Sequence, residues 1–167
     1  MTPRLLFLGL FVLIGSFLLT FWLVGTGASI SPVANLANSQ VSDDESLSDA
    51  AISAGLRPSL SLKGAVDQLA RLNETQIRIT GWSADSNGNG APITVIAFTD
   101  GRVALQTNTN GPRSDVTDHF KLSNDAALNI GFGGVLACRA GRPLFVIAVA
   151  GNRYTKLSTQ NTLLCPS

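Results

Sequence analysis

The sequence predicts an all-β fold, a β-sandwich of about seven strands, preceded by one N-terminal transmembrane helix and a linker with a short helix. Three observations predict it. From Leu60 onward the chain breaks into short runs rich in Val, Ile, Thr and Gly, separated by turn signals. Leu5 to Val24 is a run of 20 residues without a charge. The two cysteines of the chain, Cys138 and Cys165, both lie beyond that run. The expected organisation is an anchor at 1–25, a linker with a short helix at 26–59 and a β-sandwich domain at 60–167.

The apolar segment reads LLFLGLFVLIGSFLLTFWLV. At 1.5 Å per residue a helix of this length spans roughly 30 Å, the thickness of a bilayer core. A cleavable signal peptide is the competing reading, and Thr26-Gly27-Ala28 offers a small-residue cleavage site. Signal cores usually run about 7–15 residues, so the length favours an uncleaved anchor. Phe21 and Trp22 suit the far interface. Arg4 precedes the segment, and no basic residue follows it until Arg57. Positive charge stays inside, so the N-terminus is expected in the cytoplasm and the rest outside. In a bacterium this is a single-pass inner-membrane protein with a periplasmic domain. Gly9, Ser16 and Thr20 fall near one face of the helix. Small residues allow close helix approach in lipid, so this is a candidate helix-packing face.

The compartment bears on the cysteines. Outside the cytoplasm, Cys138 and Cys165 are expected to form a disulfide closing a loop of about 28 residues, worth roughly 3–4 kcal/mol on the chain-entropy model. Two buried free thiols are the alternative. A zinc site is not expected, since two cysteines and one distant histidine do not fill a tetrahedral shell. Twelve Lys and Arg stand against eleven Asp and Glu. That balance argues against nucleic acid, whose phosphates need a basic footprint.

Thr26 to Gln40 is small, polar and without apolar period, so it reads as linker. A short helix follows, at about Asp43 to Ala54. Ser42 and Glu45 form a capping-box pair, and Asp43, Asp44 and Glu45 crowd the first turn, where the helix dipole favours negative charge. Leu47, Ala50, Ala51 and Ala54 share one face, Gly55 takes the position after the C-cap, and Pro58 forbids continuation. A helix this short is marginal alone and should dock on something.

Strands are then expected in order. LKGAVDQLARL reads as strand or helix, and the Asn73-Glu74 break before a partner ETQIRITGW favours strand; in that partner Ile77, Ile79 and Gly81 alternate with Arg78, Thr80 and Trp82. PITVIAF and RVALQTN flank Asp100-Gly101, a two-residue hairpin signal. LNIGFGGVLAC, PLFVIAVA and RYTKLS complete the set. Ile93, Val95, Ala97, Phe145, Ile147 and Val149 are the expected core of the sandwich.

GWSAD, then APITVIAFTDGR, then GPRSDV, then IGF followed by an Ala-Cys pair, carry a resemblance. The pattern G-W-x-x-D, P-x-x-V, D-G and R-x-D-V resembles Ig-like β-sandwich modules of bacterial secreted and envelope proteins, over about Leu60 to Ser167. The resemblance implies a fold more than an activity, and carries over no catalytic residue.

Four motifs have competing readings. DSNGNG, Asp85 to Gly90, spells the first half of a calcium loop. Its twelfth position is Ile96, in a strand, where a calcium loop needs a bidentate carboxylate. Asn, Asp and Gly turn easily, so a connecting loop is the expectation. In GPRSDV, Arg113 and Asp115 are expected as a clamp on backbone groups of a long loop, Thr109 to Asp125, with an exposed recognition patch as the alternative. His119 has acidic neighbours but no nucleophile elbow, so no catalytic role is expected. Trp82 is expected as an Ig-like core tryptophan, with a sugar-stacking platform as the alternative.

No cofactor and no enzymatic activity are expected. The expected role is a non-catalytic accessory or stabilising subunit of a bacterial membrane protein complex, of the respiratory or photosynthetic kind. Its partners would be the lipid bilayer and an integral membrane protein, met through the helix and the periplasmic domain. The alternative is an envelope module that binds glycan or peptidoglycan.

Overall fold

The computed structural model describes residues 31–87, 90–121, 129–157 and 163–167. The anchor expected at Leu5 to Val24, with its face of Gly9, Ser16 and Thr20, lies outside the described residues. Among the described residues no helix is long and apolar enough to cross a membrane. Ser31–Ser167 forms one compact unit.

Two helices come first, α1 at Pro32–Ala37 and α2 at Asp44–Ser53. The strands are β1 (Arg57–Pro58), β2 (Leu62–Arg71), β3 (Gln76–Asp85), β4 (Thr94–Thr99) and β5 (Arg102–Asn108). A third helix, α3 (Ser114–Phe120), precedes β6 (Gly131–Ala137), β7 (Pro143–Ala150), β8 (Arg153–Lys156) and β9 (Leu163–Leu164). The seven longer strands are the expected ones. The two-residue β1 and β9 carry no legible period and exist by pairing with β8 and β7.

The strands form two sheets. One has the order β2-β3-β6, and the other β1-β8-β7-β4-β5 with β9 also on β7. The Asp100-Gly101 hairpin is as expected. Thr99 pairs with Arg102, and both turn residues have positive φ, 50° and 78°, which a primed two-residue turn requires.

The sheets face each other across one core. Leu62, Val66, Ile77 and Ile79 from the smaller sheet meet Val95, Ala97, Leu144, Val146 and Ala148 from the larger. Ile93, Val95 and Ala97 belong to this core, as expected. Phe145, Ile147 and Val149 do not. They point to the opposite face, with Ile96 and Phe98, because Ile147 pairs with Ile96 and Phe145 with Phe98. The reason is that β7 is buried on both faces from Leu144 to Val149. An apolar run with no alternation does not reveal which parity faces which layer.

The second layer is made by the N-terminal helices. Leu36, Val41, Leu47, Ala51, Ala54 and Leu56 cover that outer face. The expected docking of the short helix is therefore met by the larger sheet. The stretch expected as linker is corrected from Ser31 on. Ser31 caps α1 by accepting from the Ala34 N–H at 3.2 Å, Pro32 suits the first turn, and Leu36 is fully buried. Val41 then bonds the Gly101 carbonyl at 3.1 Å, clipping the segment to the hairpin.

The cap of α2 also differs from expectation. Asp43, not Ser42, is the N-cap. Its carboxylate accepts from the Ser46 N–H at 2.7 Å, and Ser46 Oγ accepts from the Asp43 N–H at 3.0 Å. The Ser42 hydroxyl instead donates to Asp43 Oδ2. The far end follows the expectation, with Gly55 at φ 84° after Ala54.

Cys138 and Cys165 are joined in a disulfide, with 5.8 Å between Cα atoms. Cys138 follows β6 of the smaller sheet, and Cys165 follows β9 of the larger. The bridge is thus a covalent tie between the two sheets, and both residues are buried.

Truncating Leu36→Ala in the full chain should destabilise it by about 2–5 kcal/mol, the range for a buried leucine. Urea unfolding in detergent, followed by tryptophan fluorescence, measures this. A change within about 0.5 kcal/mol, the range of a surface substitution, would mean that α1 is not packed on the sheet.

Candidate functional site

Polar groups distant in the sequence meet beside α3 and where β3 leaves the smaller sheet.

The segment expected as a loop from Thr109 to Asp125 contains α3, and this corrects the expectation. Val116 on α3 is buried with Ala84 and Ile130, and Trp82 and Phe120 pack against them. An apolar face on Val116 and Phe120, four apart, gives the segment a reason to be helical. Lys121 closes the helix in a left-handed conformation at φ 51°.

Arg113 stands at the N-terminal end of α3 and makes three side-chain bonds. Its Nε donates to Asp115 Oδ1 at 2.9 Å and its Nη2 to Asp115 Oδ2 at 2.7 Å, a two-pronged fork. Its Nη1 donates to Asp67 Oδ2 at 2.5 Å. Asp67 sits where the β2–β3 register shifts, between Val66 and Gln68, and such a bulge re-aims a side chain. The clamp therefore grips two carboxylates and a strand, where bonds to loop backbone were expected. Its bonds to Asp115, with a further one to Asp67, raise the Arg113 pKa despite partial burial. The same bonds hold Asp115 down at about 2.

Beside the clamp lies an aromatic group. Trp82 and Phe120 have ring centroids 5.3 Å apart, and His119 meets Phe120 edge-on at 4.7 Å. Lys63 Nζ lies 5.2 Å from the Phe120 ring centre, within cation–π range. Trp82 is half-buried on the outer face of the smaller sheet. This corrects its expected place in the core. Ile77, Ile79 and Gly81 take the inward positions of β3, so Trp82 must point out.

DSNGNG leaves the end of β3. Asp85 Oδ1 accepts from the Asn87 N–H at 3.2 Å, an Asx turn. Gly88 and Asn89 lie outside the described residues. The Asp85 carboxylate also accepts from Arg153 Nη2 at 2.5 Å and from Nη1 at 3.3 Å, while Nη1 reaches Ser61 Oγ at 2.9 Å. Burial alone would raise the Asp85 pKa, but the bonds from Arg153, Asn87 and Ser61 outweigh it and the net shift is down. The carboxylate is thus committed to a guanidinium as well as to the turn. A cleft of 490 Å³ opens beside the pair, with Asn87, Asn129, Asn152 and Arg153 on its wall. Among the described residues no group of three or more His, Cys, Asp or Glu is placed to hold a metal ion.

Arg113, Asp115, Trp82, His119 and Asp85 stand out in the sequence. Asp67, Lys63, Ser61 and Arg153 do not. The Arg113–Asp67 and Arg153–Asp85 pairs are 46 and 68 residues apart, beyond any local signal. The bulge at Asp67 is the one trace, since it interrupts the β2 pattern. No protein-family model matches the chain, and no curated protein matches it.

The clamp sets a pH dependence. The folded Asp115 pKa is about 2, below its ordinary 3.8. A depressed carboxylate stabilises the fold above its ordinary pKa, and that contribution is lost as pH falls from about 4 towards 2. The variant R113Q should be less stable than the parent at pH 6, and the gap should narrow by about pH 2. Equal gaps at both pH values would mean that the Arg113–Asp115 fork contributes nothing.

Proposed function

We propose that the chain is a non-catalytic accessory subunit of a bacterial membrane protein complex. Leu5 to Val24 anchors it in the inner membrane as a single pass, with the N-terminus cytoplasmic and residues from Ser31 on periplasmic. Gly9, Ser16 and Thr20 form the face that packs on a neighbouring helix. The periplasmic domain supports the fixed position of an integral membrane partner, in a complex of the respiratory or photosynthetic kind.

The observation that carries this reading is the docking of α1 and α2 on the larger sheet. Leu36, Leu47 and Ala51 are fully buried. A chain meant only to tether a free module has no need to bury the residues next to its anchor. A disulfide fits the oxidising side of the membrane.

The domain is read as Ig-like. Support comes from strand order. Of the seven longer strands, the first, second and fifth make one sheet, and the seventh, sixth, third and fourth make the other. Ig-like sandwiches divide in the same way, with a G-F-C sheet extended by one strand. The disulfide departs from antibody domains, since it joins the end of the fifth strand to the C-terminal segment. Trp82 departs too, being on the second strand and facing outward.

A second reading has one observation in its favour. An envelope glycan-binding module needs an aromatic platform near Trp82 and α3, and Trp82, Phe120 and His119 gather there. Lys63 already sits over the Phe120 ring and Trp82 packs against it at a tilt, which weakens it.

Purification of the tagged full chain in a gentle detergent should bring an integral membrane protein at fixed stoichiometry. Loss of that partner in a Gly9→Leu, Ser16→Leu variant that still inserts would support the packing face. A chain that runs alone, and that sediments with cell-wall glycan instead, would reverse the order of the two readings.

A further inference from the structure

One end of the sandwich is built from the β2–β3 turn, the Asp100-Gly101 hairpin and the segment after β6. The two sheets do not close on each other there. A cleft of 340 Å³ enters between them. Thr75, Ala137, Cys138 and Arg139 line it from the smaller sheet, and Thr99 and Asp100 from the larger.

Thr99 is the unusual member. It occupies the inward parity of β4, in line with Val95 and Ala97, and stands opposite Leu144 of β7. It is 7% exposed, and its hydroxyl has no hydrogen-bond partner among the described residues. The other buried polar residues are satisfied. Ser83 Oγ donates to the Lys63 carbonyl at 3.0 Å, and Thr109 Oγ1 accepts from the Ile93 N–H at 2.9 Å. Buried hydroxyls are nearly always bonded, so this orphan, on a residue that lines the cleft, points to a partner from outside the chain.

The charge around the cleft says which kind. Arg71, Arg102, Arg139 and Arg142 belong to this end, with Glu74 and Asp100 as the acidic side chains. Arg142 is paired with Asp100 at 2.5 Å, which neutralises the carboxylate on the cleft wall. Arg71 reaches the Pro166 carbonyl at 3.1 Å. Arg139 is exposed and makes no ion pair among the described residues. A hydroxyl donor on one wall and an unpaired guanidinium on the facing wall are complementary to an oxyanion.

We propose that this cleft is a binding site for a small free oxyanion, a phosphate or carboxylate, which accepts from Thr99 Oγ1 and Arg139. The anion seats between the sheets, next to the disulfide and the hairpin that clips the N-terminal segment. Its binding therefore stabilises the folded unit and raises the melting temperature by mass action. The site stands apart from the accessory-subunit reading, and neither depends on the other.

The test uses the full chain in detergent, titrated with inorganic phosphate and separately with acetate, at constant ionic strength made up with chloride. Melting is followed by tryptophan fluorescence. A saturable rise in melting temperature with either anion is expected. Arg139→Gln should weaken the apparent affinity about tenfold or more, as loss of a charged hydrogen bond does. Thr99→Val should abolish the response while the anion-free protein stays as stable as the parent or gains stability, because an unbonded buried hydroxyl is replaced by a methyl. Thr99→Ser should retain it. A response no larger than the chloride control with both anions would overturn the proposal, as would an undiminished response in Thr99→Val.

Discussion

The pairing of β4 with β7 is the constraint on which the rest of the structure depends. Both strands are buried on both faces, from Val95 to Thr99 and from Leu144 to Val149. A sheet that is apolar on two sides needs two covering layers. The smaller sheet supplies one, through Ile77, Ile79 and Leu136. The N-terminal helices supply the other, through Leu36, Leu47 and Ala51. Without α1 and α2, Ile96, Phe98, Phe145 and Ile147 would form an apolar patch in water. The helices are therefore part of the fold, and neither needs to be stable alone.

The polar contacts serve the edges of this arrangement. Arg153 ties Asp85, at the end of the smaller sheet, to the start of β8 in the larger. The disulfide ties the sheets again through Cys138 and Cys165. Arg113 holds the start of α3 to the bulge of β2. Each joins elements that main-chain ladders do not join. Their individual strengths are modest where they are exposed. Their effect is to fix the relative placement of surfaces that hydrophobic contact alone would leave free to slide.

Several ionised side chains of the described sites are matched with each other. Asp85 answers Arg153, Asp67 and Asp115 answer Arg113, and Asp100 answers Arg142. The aromatic group beside α3, the cleft beside Asp85 and Arg153 and the cleft under Thr99 lie open at the surface of the described residues. Each lies where a sheet ends or turns outward, as binding surfaces on rigid scaffolds commonly do.

Much of the fold was legible because its rules are local. The alternation of Ile77 and Ile79 with Arg78 and Thr80, the Asp100-Gly101 turn, and the Gly55 stop each need only a few adjacent residues. The seven longer strands and α2 followed from them. The parity of β7 was not legible, because an unbroken apolar run presents the same pattern to either layer. Nor was α1, whose six residues owe their helicity to a socket for Leu36 that forms only when β4 and β7 meet. The sequence by itself determined where strands and turns fall and which two cysteines were available to bridge. Tertiary structure decided which face each strand shows, which arginine meets which carboxylate, and why the Thr99 hydroxyl has no partner among the described residues. Those outcomes depend on pairs of residues far apart in the chain, and only packing brings them together.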